Sequence, residues 1–487
     1  MITFADLRIE VIAPEIVVAS MACVILLFDL ILPTLYKNRT CFILTILALL
    51  LAIGVIFLGY QNSDEIGLVN LVVQDRISSI TKLGICFATI AVLIYGQGYS
   101  KQRKLMTGEF LVLTMFGITG LMVMVSANHL LTLYIGIELF SLCLYALIAL
   151  NRDSAVAAES AMKYFILGAL ASGVLLFGIS LLYGLTGVLE ITAIRDVIAS
   201  MPADELPLVL AMVLVIVGLL FKLGAVPFHM WVPDVYAGSP TSVTVLLATA
   251  PKIAAFVIVF RLVAIGLGPL VELWQDMLMA VGLLSVAFGN VVAIAQKNIK
   301  RMLAYSTISH MGFLLLGIMC GVTAGYSAAM LYAAIYTFTS LAAFGCILLF
   351  SKSSFEADQL DDYKGLSRTH PWLAFLLLIV MFSLAGIPPT IGFYAKLSIF
   401  QAVIGSGLIW VAVVAALFTV VGAFYYLRIV KLIYFDESPE ADEALPIDRS
   451  ASAFMLLTIN ALFLIALIPW VGDIAKLFDE AIRLTLL

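Results

Sequence analysis

Long apolar runs separated by short polar segments extend along the whole chain. Many of the runs reach 18 or more residues, which is enough for an α-helix to cross a hydrocarbon core of roughly 30 Å. From run length and hydropathy we predict an all-α integral membrane protein with about fourteen spans. The predicted spans lie near residues 12–36, 41–60, 76–97, 108–127, 129–150, 160–186, 207–225, 251–267, 272–295, 302–321, 325–350, 372–400, 405–432 and 452–472.

Two segments rich in proline and glycine interrupt this pattern, one at 221–241 in the seventh span and one at 384–396 in the twelfth. The apolar half-segment 234–250 begins inside the first of these two segments, and we assign it to the seventh span. Proline removes a backbone donor and clashes with the preceding turn. Backbone groups freed in this way must be satisfied by protein or by water in a cavity. The two segments therefore predict broken helices beside polar cavities.

The two breaks are five spans apart, an odd number, so the helices around them would enter the membrane from opposite sides. This spacing predicts two inverted repeats, roughly 108–267 and 272–432, within a single transmembrane domain over 1–487. The helices of 12–97 and 452–472 would flank the repeats. Broken helices at matching positions of two repeats indicate a transport path. The alternative is that the prolines only kink packed helices.

Composition agrees with a chain whose solvent is mostly lipid. Hydrophobic residues make up 63% and charged residues 12% of the chain, against about 25% charged residues in soluble domains. The six cysteines fall in apolar runs, and none forms a CxxC pair or a Cys/His cluster typical of zinc or iron–sulfur sites. There is also no dinucleotide-binding glycine motif. We therefore expect no cofactor in this chain.

Lysines and arginines cluster on one side of the membrane when the predicted spans are laid out in order. With the N-terminus outside, the inside loops carry most of these cations and the outside segments carry few. The positive-inside rule then places both termini outside the cytoplasm. The inside set is Lys37, Arg39, Lys101, Arg103, Lys104, Arg152, Lys297, Lys300, Arg301, Lys352, Lys364, Arg368, Arg428, Lys431 and Arg449.

Four charged residues stand out inside apolar runs: Glu138, Lys222, Lys252 and Lys396. A charge at the bilayer centre costs about 2.5–3.5 kcal/mol on insertion scales, so each is a candidate functional group. Lysine suits proton transfer because its protonation state changes readily on burial, whereas arginine stays charged. We predict that Glu138 sets the proton affinity of Lys222. The alternative for Lys222 and Lys252 is snorkelling, in which the side chain reaches the interface.

Histidines add a second polar layer to this set. His310 lies mid-span with Ser306 one turn earlier on the same face, and it could act as a proton relay or as a hydrogen-bonded core residue. His229 lies at the first break, between Pro227 and Trp231, and could gate or conduct. Four further charged residues lie near span ends, and we interpret them as interfacial: Glu15, Asp29, Lys82 and Lys163.

Several long motifs, in order, resemble those of the antiporter-like membrane subunits of respiratory complex I, the proton-pumping NADH–quinone oxidoreductase. The motifs are Lys222-Leu-Gly-Ala-Val-Pro-Phe-His-Met-Trp-Val-Pro-Asp234, Gly238-Ser-Pro-Thr241, Ala250-Pro-Lys252, Gln296-Lys-Asn-Ile-Lys-Arg-Met-Leu-Ala-Tyr-Ser306 through His310, and Gly386-Ile-Pro-Pro-Thr-Ile-Gly-Phe393 with Lys396. The resemblance spans nearly the whole chain and is closest to the subunit N branch of this family, the counterpart of subunit 2 of the mitochondrial enzyme. Sister subunits L and M typically differ at the last break, where some carry glutamate.

The resemblance implies that Glu138 and Lys222 form an input pair, that Lys252 is a central relay and that Lys396 faces the exit side. Protons would pass along these groups through ordered water, in step with quinone reduction elsewhere. NADH, flavin, iron–sulfur clusters and quinone would bind to partner subunits, with another antiporter-like subunit beside this chain. The location implied is the bacterial inner membrane, with multiple spans and both termini on the periplasmic side.

Two other functions stay open on the residues alone. One is a subunit of a secondary sodium–proton or other cation–proton antiporter. The Gly-Ile-Pro-Pro-Thr run with Lys396, together with the absence of a sodium-site carboxylate cluster in the sequence, favours the redox-driven pump over this alternative. The other is a structural membrane subunit whose buried charges are inert.

Overall fold

A computed structural model describes residues 7–59, 65–352, 355–437 and 450–486, and Arg449 lies outside these ranges. Helices account for most of the described chain. The first ten are α1 Ala13–Ile31, α2 Thr34–Gly59, α3 Arg76–Gln102, α4 Gly108–Val125, α5 Leu130–Ile148, α6 Ala155–Thr186, α7 Ile191–Ile198, α8 Leu206–Leu223, α9 Trp231–Gly238 and α10 Thr241–Ala248. The others are α11 Ala250–Val259, α12 Val271–Ile294, α13 Ile299–Ile318, α14 Thr323–Phe350, α15 Leu366–Thr369, α16 Pro371–Ala385, α17 Ile391–Gly405, α18 Ile409–Tyr434, α19 Ala451–Ala466 and α20 Val471–Leu486.

The all-α prediction holds except for one small antiparallel sheet between α2 and α3. Its strands, β1 Glu65–Gly67 and β2 Val72–Gln74, pair with Ile66 opposite Val73. Alternation over three residues is too short to stand out in a sequence dominated by apolar runs. The sheet was therefore not predicted from the sequence.

Eleven helical segments within the described ranges are long and apolar enough to cross a membrane, or twelve if the bent pair α19 and α20 forms one span. The chain is thus a multi-pass helical membrane protein. The count leaves out α13, whose first turn carries Lys300 and Arg301, and the shorter helices α16 and α17. The predicted total of fourteen spans requires these helices as well and stays a prediction.

The centre of the molecule is formed by α10 and α11. Every residue from 241 to 263 is buried, and α10, α11 and the π-helical turn Phe260–Gly266 run on as one candidate span. A helix that is apolar on all sides belongs in the core of a bundle. Assigning 234–250 to the seventh span was therefore wrong, because residues from Thr241 onward begin the central span instead.

Both predicted breaks are present, and their first halves end in the same way. Helix α8 ends before Gly224, which has φ 78° and donates its N–H to the carbonyls of Leu220 and Phe221. Helix α16 ends before Gly386, which has φ 79° and makes the equivalent bonds to Phe382 and Ser383. Glycine is favoured at both positions because positive φ costs it nothing.

Glycines also allow two helix pairs to pack closely. In the α4–α5 pair a Cβ on Gly120 would lie 2.7 Å from the backbone nitrogen of Phe140. In the α12–α13 pair a Cβ on Gly289 would lie 2.7 Å from the backbone nitrogen of Ser309. Small residues let helix backbones approach each other in membranes. In each predicted repeat, a glycine therefore allows the first two helices to pack in close backbone contact.

The C-terminal segment extends beyond the last predicted span. Helix α19 is followed, after a bend of 51°, by the segment that contains α20. Helix α20 is amphipathic: Phe478 and Ile482 are buried, whereas the side chains of Lys476 and Arg483 are exposed. The sequence analysis did not predict this helix, because residues 473–486 lack a long apolar run.

Candidate functional site

Helices α5, α6 and α8 bring Glu138 and Lys222 together. The Lys222 ammonium donates to the hydroxyl of Ser141 at 2.9 Å and to that of Ser172 at 3.4 Å, and Ser172 in turn donates to Glu138. The ammonium and the Glu138 carboxylate are 3.9 Å apart. Since both charges sit among apolar side chains, each depends on the other and on the two hydroxyls for stabilisation. The predicted pair is present, and two serines that the sequence analysis missed join it.

Lys252 is fully buried at the start of α11, with 1% of its surface exposed. Its ammonium donates to the carbonyl of Leu223 at 3.2 Å and lies 5.6 Å from the ring centre of Trp231. That carbonyl is free to accept because helix α8 ends at Leu223. The snorkelling alternative is therefore wrong for Lys252, and the first break supplies the acceptor that holds it.

Lys222 and Lys252 line the same small cavity, of about 30 Å³, with Ser141, Tyr164 and Trp231 among its other lining residues. Most of the lining is apolar, but a cavity of this size has room for a water molecule, which needs two to four hydrogen-bonding partners. The two ammonium groups and the serine hydroxyl provide such partners. Water can thus connect the two lysines, which no direct hydrogen bond joins in the described part of the chain.

The second half holds its own cluster around Lys396. The Lys396 ammonium donates to the carbonyls of Leu384 and Ala385, at 3.0 and 2.8 Å, where helix α16 ends at the second break. Lys396 and His310 line a further small cavity, of about 10 Å³, together with Tyr332. At each break, free carbonyls at the end of the first half-helix therefore accept hydrogen bonds from a buried lysine.

His310 belongs to a hydrogen-bonded chain rather than standing alone. Its Nδ1 lies 2.5 Å from the hydroxyl of Tyr332, and its Nε2 lies 3.2 Å from that of Tyr426. The Tyr426 hydroxyl also lies 2.5 Å from the Ser306 hydroxyl. Ser306 and His310 therefore lie on the same face of α13, as predicted, and both contact Tyr426. An imidazole with hydroxyls on both nitrogens can pass a proton from one to the other. The same bonds also fit a satisfied core residue, so the relay role stays a prediction.

His229 lies apart from these groups. Its half-exposed ring packs edge-on against Phe288, with 4.7 Å between ring centres. It does not line the cavity that Lys222 and Lys252 share. A gating or conducting role for His229 stays a prediction.

Three of the four span-end residues are buried by neighbouring helices, and their interfacial position stays a prediction. Lys82 and Glu15 are buried and form an ion pair of 2.7 Å. Asp29 is also buried and pairs with Lys37 at 3.0 Å. Only Lys163 is well exposed, and it pairs with Asp234 at 2.8 Å. Sequence spacing could not show that α1, α2 and α3 pack these charges against one another.

Arg261 is a further buried charge that the sequence analysis omitted, although it lies visibly within the apolar run of the eighth span. Its guanidinium binds both carboxylate oxygens of Asp75, at 2.8 and 2.7 Å, and donates to the carbonyl of Val125. The two side chains are 5% and 4% exposed. One guanidinium nitrogen, Nη2, reaches both oxygens while Nε binds the backbone, so the two buried charges compensate each other and the pair ties the central span to the start of α3.

Within the described ranges, no group of three histidine, cysteine or acidic side chains is placed to hold a metal ion. The cavities beside Lys222 and Lys396 are also far smaller than the several hundred Å³ of a typical organic cofactor site. The arrangement described above suits the movement of protons between side chains and water.

Comparison with protein families gives a match over residues 127–422 to the family described as NADH:quinone oxidoreductase/Mrp antiporter, TM. Among curated relatives, NADH-quinone oxidoreductase subunit N of Thioalkalivibrio sulfidiphilus is 49% identical, over 96% of this chain and 97% of its own length. Subunit N of Thiobacillus denitrificans is 51% identical over 93% of both chains.

Solved structures agree. A chain of respiratory complex I from Thermus thermophilus superposes with a TM-score of 0.81 at 30% identity, covering 95% of this chain and 98% of its own. A chain of the Mrp complex from Dietzia superposes with a TM-score of 0.84 at 19% identity, covering 98% and 97%, which supports the fold alone. By family match, full-length identity and fold, this chain belongs to the NADH:quinone oxidoreductase/Mrp antiporter membrane family, and within it to the subunit N group of NADH-quinone oxidoreductases.

Proposed function

We propose that this chain is a proton-translocating membrane subunit of a bacterial NADH–quinone oxidoreductase. The observation that carries the proposal is the partly buried hydrogen-bonded chain of Glu138, Ser172, Lys222 and Ser141, in which Lys222 and Ser141 line a cavity together with Lys252. Buried ionisable groups are costly in a membrane and mark ion pathways. In a carboxylate and an ammonium bridged by hydroxyls, a proton gained or lost by one group changes the charge that the other must balance, so the two groups are coupled in their protonation.

The route would run from the Glu138–Lys222 pair through Lys252 toward Lys396. In the second half, His310 with its tyrosine partners lies beside Lys396 and would pass protons to it. Among the described residues no hydrogen bond joins Lys252 to the cluster of His310 and Lys396, so water would complete that link during turnover. The direction of travel, with input at Glu138 and exit at Lys396, rests on the family resemblance.

The halves would be inverted repeats, roughly 108–267 and 272–432. Support comes from the matching ends of α8 and α16 and from the matching close packing of α4 with α5 and of α12 with α13. With the buried lysines placed at both breaks, the repeats would provide two comparable halves of one path. Both termini would lie on the periplasmic side of the inner membrane.

Electron transfer would take place in partner subunits. NADH, flavin, iron–sulfur clusters and quinone would bind there, and this chain would contribute the H⁺-transporting activity of the whole enzyme. A neighbouring antiporter-like subunit would contact this chain within the membrane.

Removal of either member of the input pair should lower proton pumping. In Lys222→Ala, Glu138 keeps its charge without a partner and the proton carrier is lost, so we expect the pumping rate to fall roughly tenfold, as for a barrier raised by about 1.4 kcal/mol. Glu138→Ala should act in the same direction. The measurement is NADH-driven proton translocation by the assembled complex in membrane vesicles.

A matched control is Lys431→Ala, which removes a lysine whose side chain is 68% exposed and should leave pumping unchanged. Normal pumping by fully assembled Lys222→Ala and Glu138→Ala complexes would favour a structural role for these charges. Sodium-dependent proton transport without NADH oxidation would instead favour the cation–proton antiporter.

A further inference from the structure

The buried lysines fall into two groups by what compensates their charge. In one group the ammonium lies 2.7 to 3.9 Å from a carboxylate oxygen, in the pairs Lys82–Glu15, Lys222–Glu138 and Lys300–Glu356. Lys300, which the sequence analysis placed in a loop, belongs here because it is buried at the start of α13. The other group is Lys252 and Lys396, whose hydrogen bonds within the described ranges all go to backbone carbonyls. An ammonium group buried without a countercharge is costly.

An aromatic ring takes the place of the carboxylate at both of these lysines. The Lys252 ammonium lies over the Trp231 ring and the Lys396 ammonium lies over the Phe313 ring, each 5.6 Å from the ring centre. A cation within about 6 Å of a ring centre is attracted by the negative face of the ring, and more strongly where water is excluded. No other lysine in the described part of the chain has a ring in this position. The two lysines that lack a carboxylate are therefore the two that have a ring.

Both rings are fixed by their own contacts. Trp231 is 2% exposed, donates its indole N–H to the Phe221 carbonyl at 2.9 Å, and stacks on Tyr164 with 4.7 Å between ring centres. Phe313 is 1% exposed and stacks on Tyr332 with 5.9 Å between ring centres. Each ring face is therefore in place whether or not the lysine beside it carries a proton.

Ring type and carbonyl number differ between the two lysines in opposite directions. Lys252 has one carbonyl acceptor and lies over tryptophan, the side chain that attracts cations most strongly in this way. Lys396 has two carbonyl acceptors and lies over the weaker ring of phenylalanine. The stronger ring thus offsets the missing carbonyl, which brings the stabilisation of the two ammonium groups closer together.

We propose that Trp231 and Phe313 are positioning residues that stabilise the protonated forms of Lys252 and Lys396 in place of carboxylates. A carboxylate would be left as an unpaired buried charge whenever its lysine released a proton, whereas a neutral ring would not. The rings would therefore let each lysine gain and lose a proton without a second buried charge to balance. This inference rests on the proposed function, because Lys252 and Lys396 must themselves carry protons.

Few titratable groups face the two lysines. Lys252 shares its cavity with Lys222 of α8 and Tyr164 of α6, and no acidic side chain lines that cavity. The cavity beside Lys396 brings it together with the titratable side chains of His310 on α13 and of Tyr332 and Tyr336 on α14. Helices α3, α4, α10 and α14 also pack against α11, and α16 and α18 against α17, but none of their described side chains bonds to either ammonium.

Removal or weakening of each ring tests its role. Phe313→Leu removes the ring over Lys396, so the protonated form is stabilised less and a higher proton concentration is needed to load the lysine. We define the alkaline limit as the pH at which the number of protons pumped per NADH oxidised falls to half its maximum. Phe313→Leu should lower this limit by roughly one pH unit. Trp231→Phe, which leaves a weaker ring over Lys252, should lower it by roughly half a pH unit.

Matched controls change buried rings that have no lysine. Trp274 is fully buried and donates its indole N–H to the Leu267 carbonyl at 3.0 Å, as Trp231 does to Phe221, so Trp274→Phe makes the same change away from a lysine. Phe256 is also fully buried, and its ring stacks on Phe260. Trp274→Phe and Phe256→Leu should both keep the alkaline limit of the unmodified complex.

The outcomes separate this inference from the proposed function. An unchanged alkaline limit in assembled Phe313→Leu and Trp231→Phe complexes, with pumping lost in Lys252→Met, would overturn the role of the rings and leave the function intact. A loss of pumping that is the same at every pH would also overturn it, because a packing defect does not depend on loading a proton. Unchanged pumping in Lys252→Met would overturn both.

Discussion

Each buried lysine is held by acceptors that the fold leaves free. Lys252 uses the carbonyl of Leu223 and Lys396 uses those of Leu384 and Ala385, all at the ends of interrupted helices. Neutral acceptors can hold an ammonium group in place, yet they do not fix its charge as a carboxylate would. Under the proposed function both lysines would change protonation, whereas Arg261, bound to both oxygens of Asp75, would stay charged.

The charge-conserving substitution Lys396→Arg separates a proton carrier from a fixed charge. Arginine cannot release its proton under these conditions, so we expect pumping to fall roughly tenfold, as for a barrier raised by about 1.4 kcal/mol. The check is proton translocation by the assembled complex. Full pumping with arginine at this position would contradict a proton-carrying role for Lys396.

The sequence was enough to single out Glu138, Lys222, Lys252 and Lys396, because a charge in an apolar run is visible without a structure. It could not supply Ser141 and Ser172, since buried serines are common in membrane helices and only packing shows which of them meet a charge. It also could not show that Lys300, near a helix start, points inward.

At the scale of helices, the breaks do more than kink packed segments. Proline and glycine end α8 and α16 inside the bundle, and the carbonyls released there bind lysines. The positions of both breaks could be predicted from the sequence, because proline and glycine act locally. The sequence could not show that α10 belongs to the central span, because only packing decides to which span an apolar half-segment belongs.

The Asp75–Arg261 pair should matter for stability rather than for transport. Arg261→Leu leaves the Asp75 carboxylate buried without its partner, which costs roughly 3–5 kcal/mol when a buried pair is broken. We expect the purified complex to lose this chain at a lower temperature, and the double variant Asp75→Asn/Arg261→Leu to recover part of the loss. Arg152→Leu, at a side chain that is 79% exposed, serves as the control. Equal thermal stability of the Arg261→Leu and Arg152→Leu complexes would show that the pair contributes little.

At the scale of the whole molecule, buried charge is arranged around one central span. Lys252 lies on this span and shares a cavity with Lys222, the ion-pair partner of Glu138. The cluster of His310 and Lys396 occupies the other half of the bundle. Hydropathy predicted the membrane architecture, but the convergence on Lys252 depends on contacts between helices far apart in sequence.

The number of protons moved per NADH oxidised, measured in vesicles with the assembled Lys252→Met complex, tests the relay most directly. Methionine keeps the unbranched shape of lysine but removes the ammonium group, and with it the charge, the hydrogen bond to the Leu223 carbonyl and the ability to carry a proton. We expect proton translocation to collapse while the complex still assembles with its partner subunits. An unchanged ratio at an unchanged rate of NADH oxidation would contradict the account.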